Sequence, residues 1–195
     1  MKKFELTSEF NLNFFGRKFF RIKALVNIER YGVKAGDLGG WVEKEDNLSQ
    51  SGNAWVSGNA EVSGNAWVSG DAVVSGNAKV SGDAVVSGDA VVSGNAKVSG
   101  DAEVSGNAKV SGDAKVSGDA DYAVIKGFGT VYRPTTFFRC HDGEVRVTCG
   151  CFYGTIDEFR EQVKRTRKGK VADEYLKIAD LMEYHFKKED SGENV

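Results

Sequence analysis

Apolar residues fall at fixed places through the middle of the chain. From Ala54 and Val56 onward, an alanine and a valine two residues later return every six residues. The phrase is Ser-Gly-(Asn/Asp)-Ala-x-Val, read twelve times between Ser51 and Tyr122, where Tyr122 replaces the valine. A fixed short period means that neighbouring copies stack and share one core. An α-helix cannot hold a period of six on one face, and a Gly with a β-branched Val in every copy penalises it further. A short strand over Ala-x-Val-Ser with a corner at Gly-(Asn/Asp) fits instead, because Gly, Asn and Asp reach positive φ cheaply. Strand alternation then turns Ala and Val inward and x outward. Three strands close a coil of eighteen residues, so the twelve copies predict four coils, stacked about 4.8 Å apart.

Every eighteenth x residue shares an outer face. The first face carries Trp55, Val73, Val91 and Lys109; the second Glu61, Lys79, Lys97 and Lys115; the third Trp67, Val85, Glu103 and Asp121. The second face is charged, while the other two show Trp and Val over the early coils. Exposed apolar surface of this extent calls for a cover. Trp55, Trp67, Val73, Val85 and Val91 are therefore expected to pack against the chain's own N-terminal segment, a neighbouring subunit, or both. At the corners, Asp71 with Asp89, and Asp83 with Asp101 and Asp119, read as solvated positions where Asn and Asp interchange.

The flanks have other rhythms. Residues 1 to 50 are aromatic-rich with strand-like alternation. Turns are expected at Asn13 to Lys18 and at Ala35 to Gly40, and Leu48 falls in the phase of Ala54. This stretch is expected to be a β cap over the first coil's open edges. After Tyr122 the phrase degrades, and residues 123 to 132 read as a last irregular coil. Thr135 to Cys140 and Glu144 to Cys149 form a hairpin around Asp142-Gly143. Thr155 to Glu158 starts a helix with a capping box, and a second helix covers roughly Asp173 to Phe186. The organisation expected is a cap over 1–50, a repeat over 51–132, an α+β module over 133–187, and a flexible polar tail over 188–195.

The repeat resembles the left-handed parallel β-helix of hexapeptide-repeat proteins, as in Val56-Ser57-Gly58-Asn59-Ala60. The handedness comes from the resemblance alone. A calcium-binding nonapeptide β-roll is rejected, since its Gly-Gly-x-Gly-x-Asp period is missing. The likeness narrows at Phe20 to Leu25, Gly36-Asp37-Leu38-Gly39-Gly40-Trp41-Val42-Glu43 and Asn47-Leu48-Ser49-Gln50, and extends to Cys149-Gly150-Cys151-Phe152-Tyr153-Gly154. There the chain is similar to a family of phage and prophage hexapeptide-repeat proteins, some labelled acyltransferases by fold. This implies a virus-related, cytoplasmic protein, located in the host cytoplasm if phage-encoded. It supplies no catalytic set to transfer, and proteins of this shape commonly form homotrimers.

Composition narrows the chemistry. A formal net charge of −2 over 195 residues gives no global field for nucleic acid, which is not the expected partner. No apolar run reaches membrane-span length. Acyltransferases of this fold use a histidine base, yet residues 51 to 132 contain none; His141 and His185 stand outside. A general base must reach the proton it takes, so catalysis is not the leading expectation, and an acyltransferase using His141 or His185 is the alternative. Cys140, His141, Cys149 and Cys151 are soft donors without a paired Cys-x-x-Cys knuckle. Buried reduced cysteines are the expectation there, with neither metal nor cofactor. Lys164, Arg165, Arg167, Lys168 and Lys170 form a basic loop that suits a phosphate-bearing ligand through charge-assisted hydrogen bonds, and a nucleic-acid binder through this loop is the third alternative. The leading expectation is a non-catalytic, phage-type binding or scaffold protein. Its trimeric β-helix would present end modules and inter-subunit clefts to a host protein or a small nucleotide-like ligand.

Overall fold

The computed structural model describes residues 2–187; the tail expected over 188–195 lies outside them. Three strands come first: β1 (Phe4–Leu12), β2 (Lys18–Ala24) and β3 (Leu38–Val42). Eleven two-residue strands follow at six-residue spacing, β4 to β14, from Trp55–Val56 to Lys115–Val116. Then come β15 (Tyr122–Ile125), β16 (Thr135–Arg139), β17 (Val145–Cys149), β18 (Phe152–Thr155), α1 (Ile156–Thr166) and α2 (Gly169–Phe186). Two compact units divide it, one ending at Asp119 and the other beginning at Ala120.

The first unit is a β-solenoid of about four turns, and its register is the eighteen-residue one. Trp55 pairs with Val73, Val73 with Val91 and Val91 with Lys109, all in parallel. Glu61, Lys79, Lys97 and Lys115 form the second facet, and Trp67, Val85 and Glu103 the third. The ladder repeats with little variation: the Trp55 amide donates to the Ala72 carbonyl at 2.9 Å and the Ser57 amide to Val74 at 2.9 Å. Every alanine from Ala54 to Ala114 and every valine from Val56 to Val116 at the inward positions is buried. Each valine so removed from water contributes about 1.5–3 kcal/mol.

The corners explain the Gly and the Asn/Asp choices. Gly88 has φ +66°, and a Cβ there would stand 2.9 Å from the Gly106 nitrogen of the next coil. Only glycine satisfies both conditions. The Asn side chains stack: Asn59 donates to Asn77 at 3.2 Å, Asn77 to Asn95 at 3.1 Å, and Asn95 to Asp113 at 3.0 Å. Asn supplies both donor and acceptor to such a ladder and Asp only acceptors, so the two are not interchangeable there. Nor is the Asp71–Asp89 pair simply solvated. The Arg30 guanidinium binds Asp71 at 2.8 Å and also binds Asp89, holding two like charges on adjacent coils.

The N-terminal cap extends the second facet. Antiparallel β1 and β2 join β3, which then pairs in parallel with β5. The second expected turn over Ala35 to Gly40 is partly strand, because Gly39 and Gly40 sit within β3. A Cβ on Gly39 would meet Ile22 and the Val56 carbonyl at 2.5 and 2.6 Å, so β3 lies against the first coil. The lead-in coil is also two residues longer than the repeat, with Trp41 opposite Glu61. Leu48 consequently lies over Val68, not in the alanine phase expected for it. A 3₁₀ turn at Glu45–Asn47 takes up the extra length, and buried Asn47 donates to the Ala66 and Gly64 carbonyls at 2.8 and 3.1 Å. Gln50 acts as a strand partner for β1, accepting from the Lys3 amide at 2.7 Å and donating to the Phe4 carbonyl at 3.1 Å. Lys3 is buried and donates to the Ala54 carbonyl at 2.8 Å. Its ammonium satisfies an edge acceptor, while burial, partly opposed by Asp71, lowers its pKa to about 8.

The second unit is a four-stranded antiparallel sheet in the order β15-β16-β17-β18, with α1 and α2 against it. Phe137 and Val147 from the sheet meet Phe159, Val163, Tyr175, Ile178 and Met182 from the helices. Tyr122–Ile125 pairs antiparallel with β16. The irregular coil expected over 123 to 132 is therefore replaced at its start by a strand of this sheet. The capping box is present: Thr155 accepts from the Glu158 amide at 3.1 Å, and Glu158 accepts from the Thr155 amide at 2.8 Å. Among the described residues no helix is long and apolar enough to cross a membrane.

Candidate functional site

On the first unit, the apolar outer residues separate. Trp55 is only 3% exposed, and Gly39 of β3 lies so close that an added Cβ would be 2.7 Å from its ring. The chain's own N-terminal segment covers it. Val73, Val85 and Val91 are half-buried, and Trp67 remains 46% exposed on the third facet. The β1–β2 turn shows two further aromatics. Phe14 and Phe15 are 96% and 88% exposed and lie edge to face, with ring centroids 5.5 Å apart. The Asn13-to-Lys18 turn was legible in the sequence; the bareness of its tip was not.

The second unit holds a partly enclosed cavity of about 240 Å³. It lies where the connection between β15 and β16, the β17–β18 turn and the α1–α2 junction converge, with Arg133, Cys149, Cys151, Phe152, Phe159, Arg167 and Tyr175 among its walls. Local geometry brings these groups together. Gly150 turns the chain at φ +63°, and a Cβ there would stand 2.8 Å from the Arg133 guanidinium. Gly129 likewise lets the 126–134 segment approach the Tyr175 ring, whose hydroxyl donates to the Phe128 carbonyl at 3.3 Å. Tyr132, beside Arg133, holds a positive φ of 52° that a bulky residue seldom adopts.

Two guanidinium groups line this cavity, and the Glu174 carboxylate also acts on its Tyr175 hydroxyl. Neither Arg133 nor Arg167 has a carboxylate within ion-pair distance among the described residues; Arg167 donates to the Thr166 carbonyl at 3.1 Å. Arg160, on the adjoining helix α1, is by contrast bound to Asp157 and Asp180 at 2.8 Å and to Glu183 as well. Burial pushes the Tyr175 hydroxyl above the usual phenol range, and the neighbouring Cys149 acts the same way against Arg167. Cys149 accepts a hydrogen bond from the Thr135 hydroxyl at 3.2 Å, whereas Cys151 is exposed.

The basic loop is shorter than its sequence suggests. Lys164 and Arg165 belong to α1, and Gly169 and Lys170 already belong to α2, leaving Arg167 and Lys168 as the junction. Starting at Gly169 also makes α2 a turn longer than expected. Lys164 pairs with Glu161 at 2.8 Å, Arg165 bonds Gln162, and Lys170 approaches Glu174 at 3.7 Å. Of the five, Arg167 reaches the cavity; its companion is Arg133, thirty-four residues earlier in the chain and without a local motif. His141 and His185 are exposed, and His185 packs edge-on to Phe186 at 4.9 Å. Cys140, His141, Cys149 and Cys151 do not gather into a metal-binding group among the described residues.

The chain is thus a β-solenoid repeat protein with a strand-built N-terminus and a C-terminal helix-containing unit. It is similar to the family described as YdcK beta solenoid repeat, which matches residues 60–76 and 78–94, both within the stacked coils. No curated protein matches the chain.

Proposed function

We propose that this is a non-catalytic binding protein in which a rigid β-solenoid is joined to a ligand-carrying α+β unit. The observation that carries this reading is a cavity of the second unit, where Arg133 and Arg167 stand beside an aromatic wall without carboxylate partners among the described residues. Unpaired guanidinium groups at a concave apolar surface are the usual equipment of an anion-binding site. The solenoid's outer rows of Lys, Glu, Val and Trp, and its two histidines' location in the other unit, fit a stem better than a reaction centre. The bare Trp67 and the half-buried Val85 support self-association through the third facet into a homotrimer, since cyclic closure hides such surface. The resemblance to phage and prophage hexapeptide-repeat proteins supports a partner in a host cytoplasm, either a host protein or a small phosphate-bearing molecule.

The test pairs mass with turnover. Native mass spectrometry of the intact protein is expected to give three subunits. Incubation with acetyl-CoA and amine or hydroxyl acceptors is expected to leave acetyl-CoA unconsumed. Consumption that disappears in His141→Ala or His185→Ala would replace the binding reading with acyl transfer.

A further inference from the structure

We propose that the cavity between the β17–β18 turn and the α1–α2 junction binds a small oxyanion carried on a single flat apolar ring, with Arg133 and Arg167 holding the anion. This rests on the binding reading above and adds the ligand's chemistry to it. Size comes first. At about 240 Å³ the space falls below the roughly 300–1,000 Å³ of sites that enclose drug-sized molecules. One ring with one anionic group fits; a larger nucleotide would have to leave most of its body outside. The ring's place is the wall formed by Phe152, Phe159 and Tyr175, which line the cavity and are packed on one another with centroids 5.5 and 5.8 Å apart. An aromatic wall of this kind favours a flat apolar body packed against it.

The anion's place is set by the two guanidinium groups. They reach the cavity from different segments, one just before β16 and one just after α1. Glycine at position 150 leaves the room that the Arg133 head occupies. A planar fork matches a carboxylate or a phosphate equally well, so the shared chemistry is the oxyanion and the two sources are separable by probe. A polynucleotide calls for a longer cationic row than two cavity guanidinium groups, and Lys164 and Lys170 each lie beside a carboxylate, Glu161 and Glu174.

The test uses the full chain with benzoate and phenyl phosphate as probes, and benzyl alcohol and inorganic phosphate as the ring and the anion alone. Amide resonances are followed by two-dimensional NMR, and Cys151, exposed at the rim, by its rate of maleimide alkylation. At least one of the two ring-bearing anions is expected to saturate, with a Kd on the order of 1 mM for so few atoms. The shifts are expected at Gly150, Cys151, Arg133, Arg167 and Tyr175, and alkylation of Cys151 is expected to slow. Benzoate against phenyl phosphate tells carboxylate from phosphate. Arg133→Gln and Arg167→Gln are each expected to weaken binding about tenfold or more, as loss of a charge-assisted bond does. Arg165→Gln, outside the cavity, is expected to change nothing. Absence of saturable shifts with both ring-bearing anions, or equal binding by benzyl alcohol or by the two Arg variants, overturns the inference and leaves the binding reading standing. Release of phenol from phenyl phosphate would instead overturn the non-catalytic reading.

Discussion

Identical glycines in this repeat should not cost the same to replace, and the difference measures the stacking itself. Gly88 and Gly106 occupy the same corner one coil apart, at φ +66° and +64°. Alanine at either pays for a left-handed backbone, about 1–2 kcal/mol. At Gly88 the new Cβ also meets the Gly106 nitrogen at 2.9 Å and oxygen at 3.0 Å, whereas at Gly106 nothing lies within 4 Å. The coil that would cover Gly106 has already given way to the 3₁₀ turn at Asp119–Asp121. Crowding of this kind costs roughly a further 1–3 kcal/mol, because backbone atoms cannot swing aside. Gly106→Ala is therefore expected to lose about 1–2 kcal/mol and Gly88→Ala about 2–5 kcal/mol. Urea unfolding followed by tryptophan fluorescence reads the right unit, since Trp41, Trp55 and Trp67 all lie before Asp119. Asn variants separate the terms: Asn tolerates the backbone but keeps the Cβ, so Gly106→Asn should be nearly neutral and Gly88→Asn should not. Equal losses at the two glycines would refute the reasoning.

Three further outcomes are expected. Asn47→Ala leaves the buried Ala66 carbonyl without its side-chain donor and should cost about 1–3 kcal/mol in the same urea assay; an unchanged midpoint would contradict the capping role. Lys3 has a folded pKa of about 8 against 10.5 unfolded, so between those values the unfolded chain binds more protons. The wild type should gain stability relative to Lys3→Met as pH rises through that window, and melting curves whose difference is flat with pH would contradict the burial of its charge. Trp67→Lys should convert an assembled protein to monomers in sedimentation velocity if the third facet is the interface, and retention of the assembly would exclude that facet.

How much of this was legible in the sequence depends on the range of the interactions. The period of six gave the facets, the inward Ala and Val, and the glycine corners, because every copy repeats the same local statement. The capping box at Thr155 and the turn at Asp142-Gly143 were equally local. What escaped was set by distant partners. Arg30 looks like any surface arginine until the fold brings Asp71 and Asp89 beneath it. The burial of Trp55 follows from Gly39 and Gly40, whose pairing marks a close backbone approach without naming its target. The extra two residues of the lead-in coil displaced Leu48 by breaking the register before the repeat began. In the candidate site, Arg167 stood out within a basic run, but Arg133 had no neighbour in sequence to mark it. The antiparallel return of β15 to β16 and the packing of α1 and α2 on the sheet bring the two together.

The account stands on stacking at eighteen-residue intervals, and paired cysteines test it most directly. In a chain with Cys140, Cys149 and Cys151 changed to Ser, the register puts Lys79 beside Lys97 on adjacent coils, within the Cα spacing of about 4.4–6.8 Å that a disulfide spans. Lys79→Cys with Lys97→Cys is expected to oxidise to an intramolecular disulfide, while Lys79→Cys with Val91→Cys, on different facets, is expected to stay reduced. A disulfide in the second pair and none in the first would contradict the account.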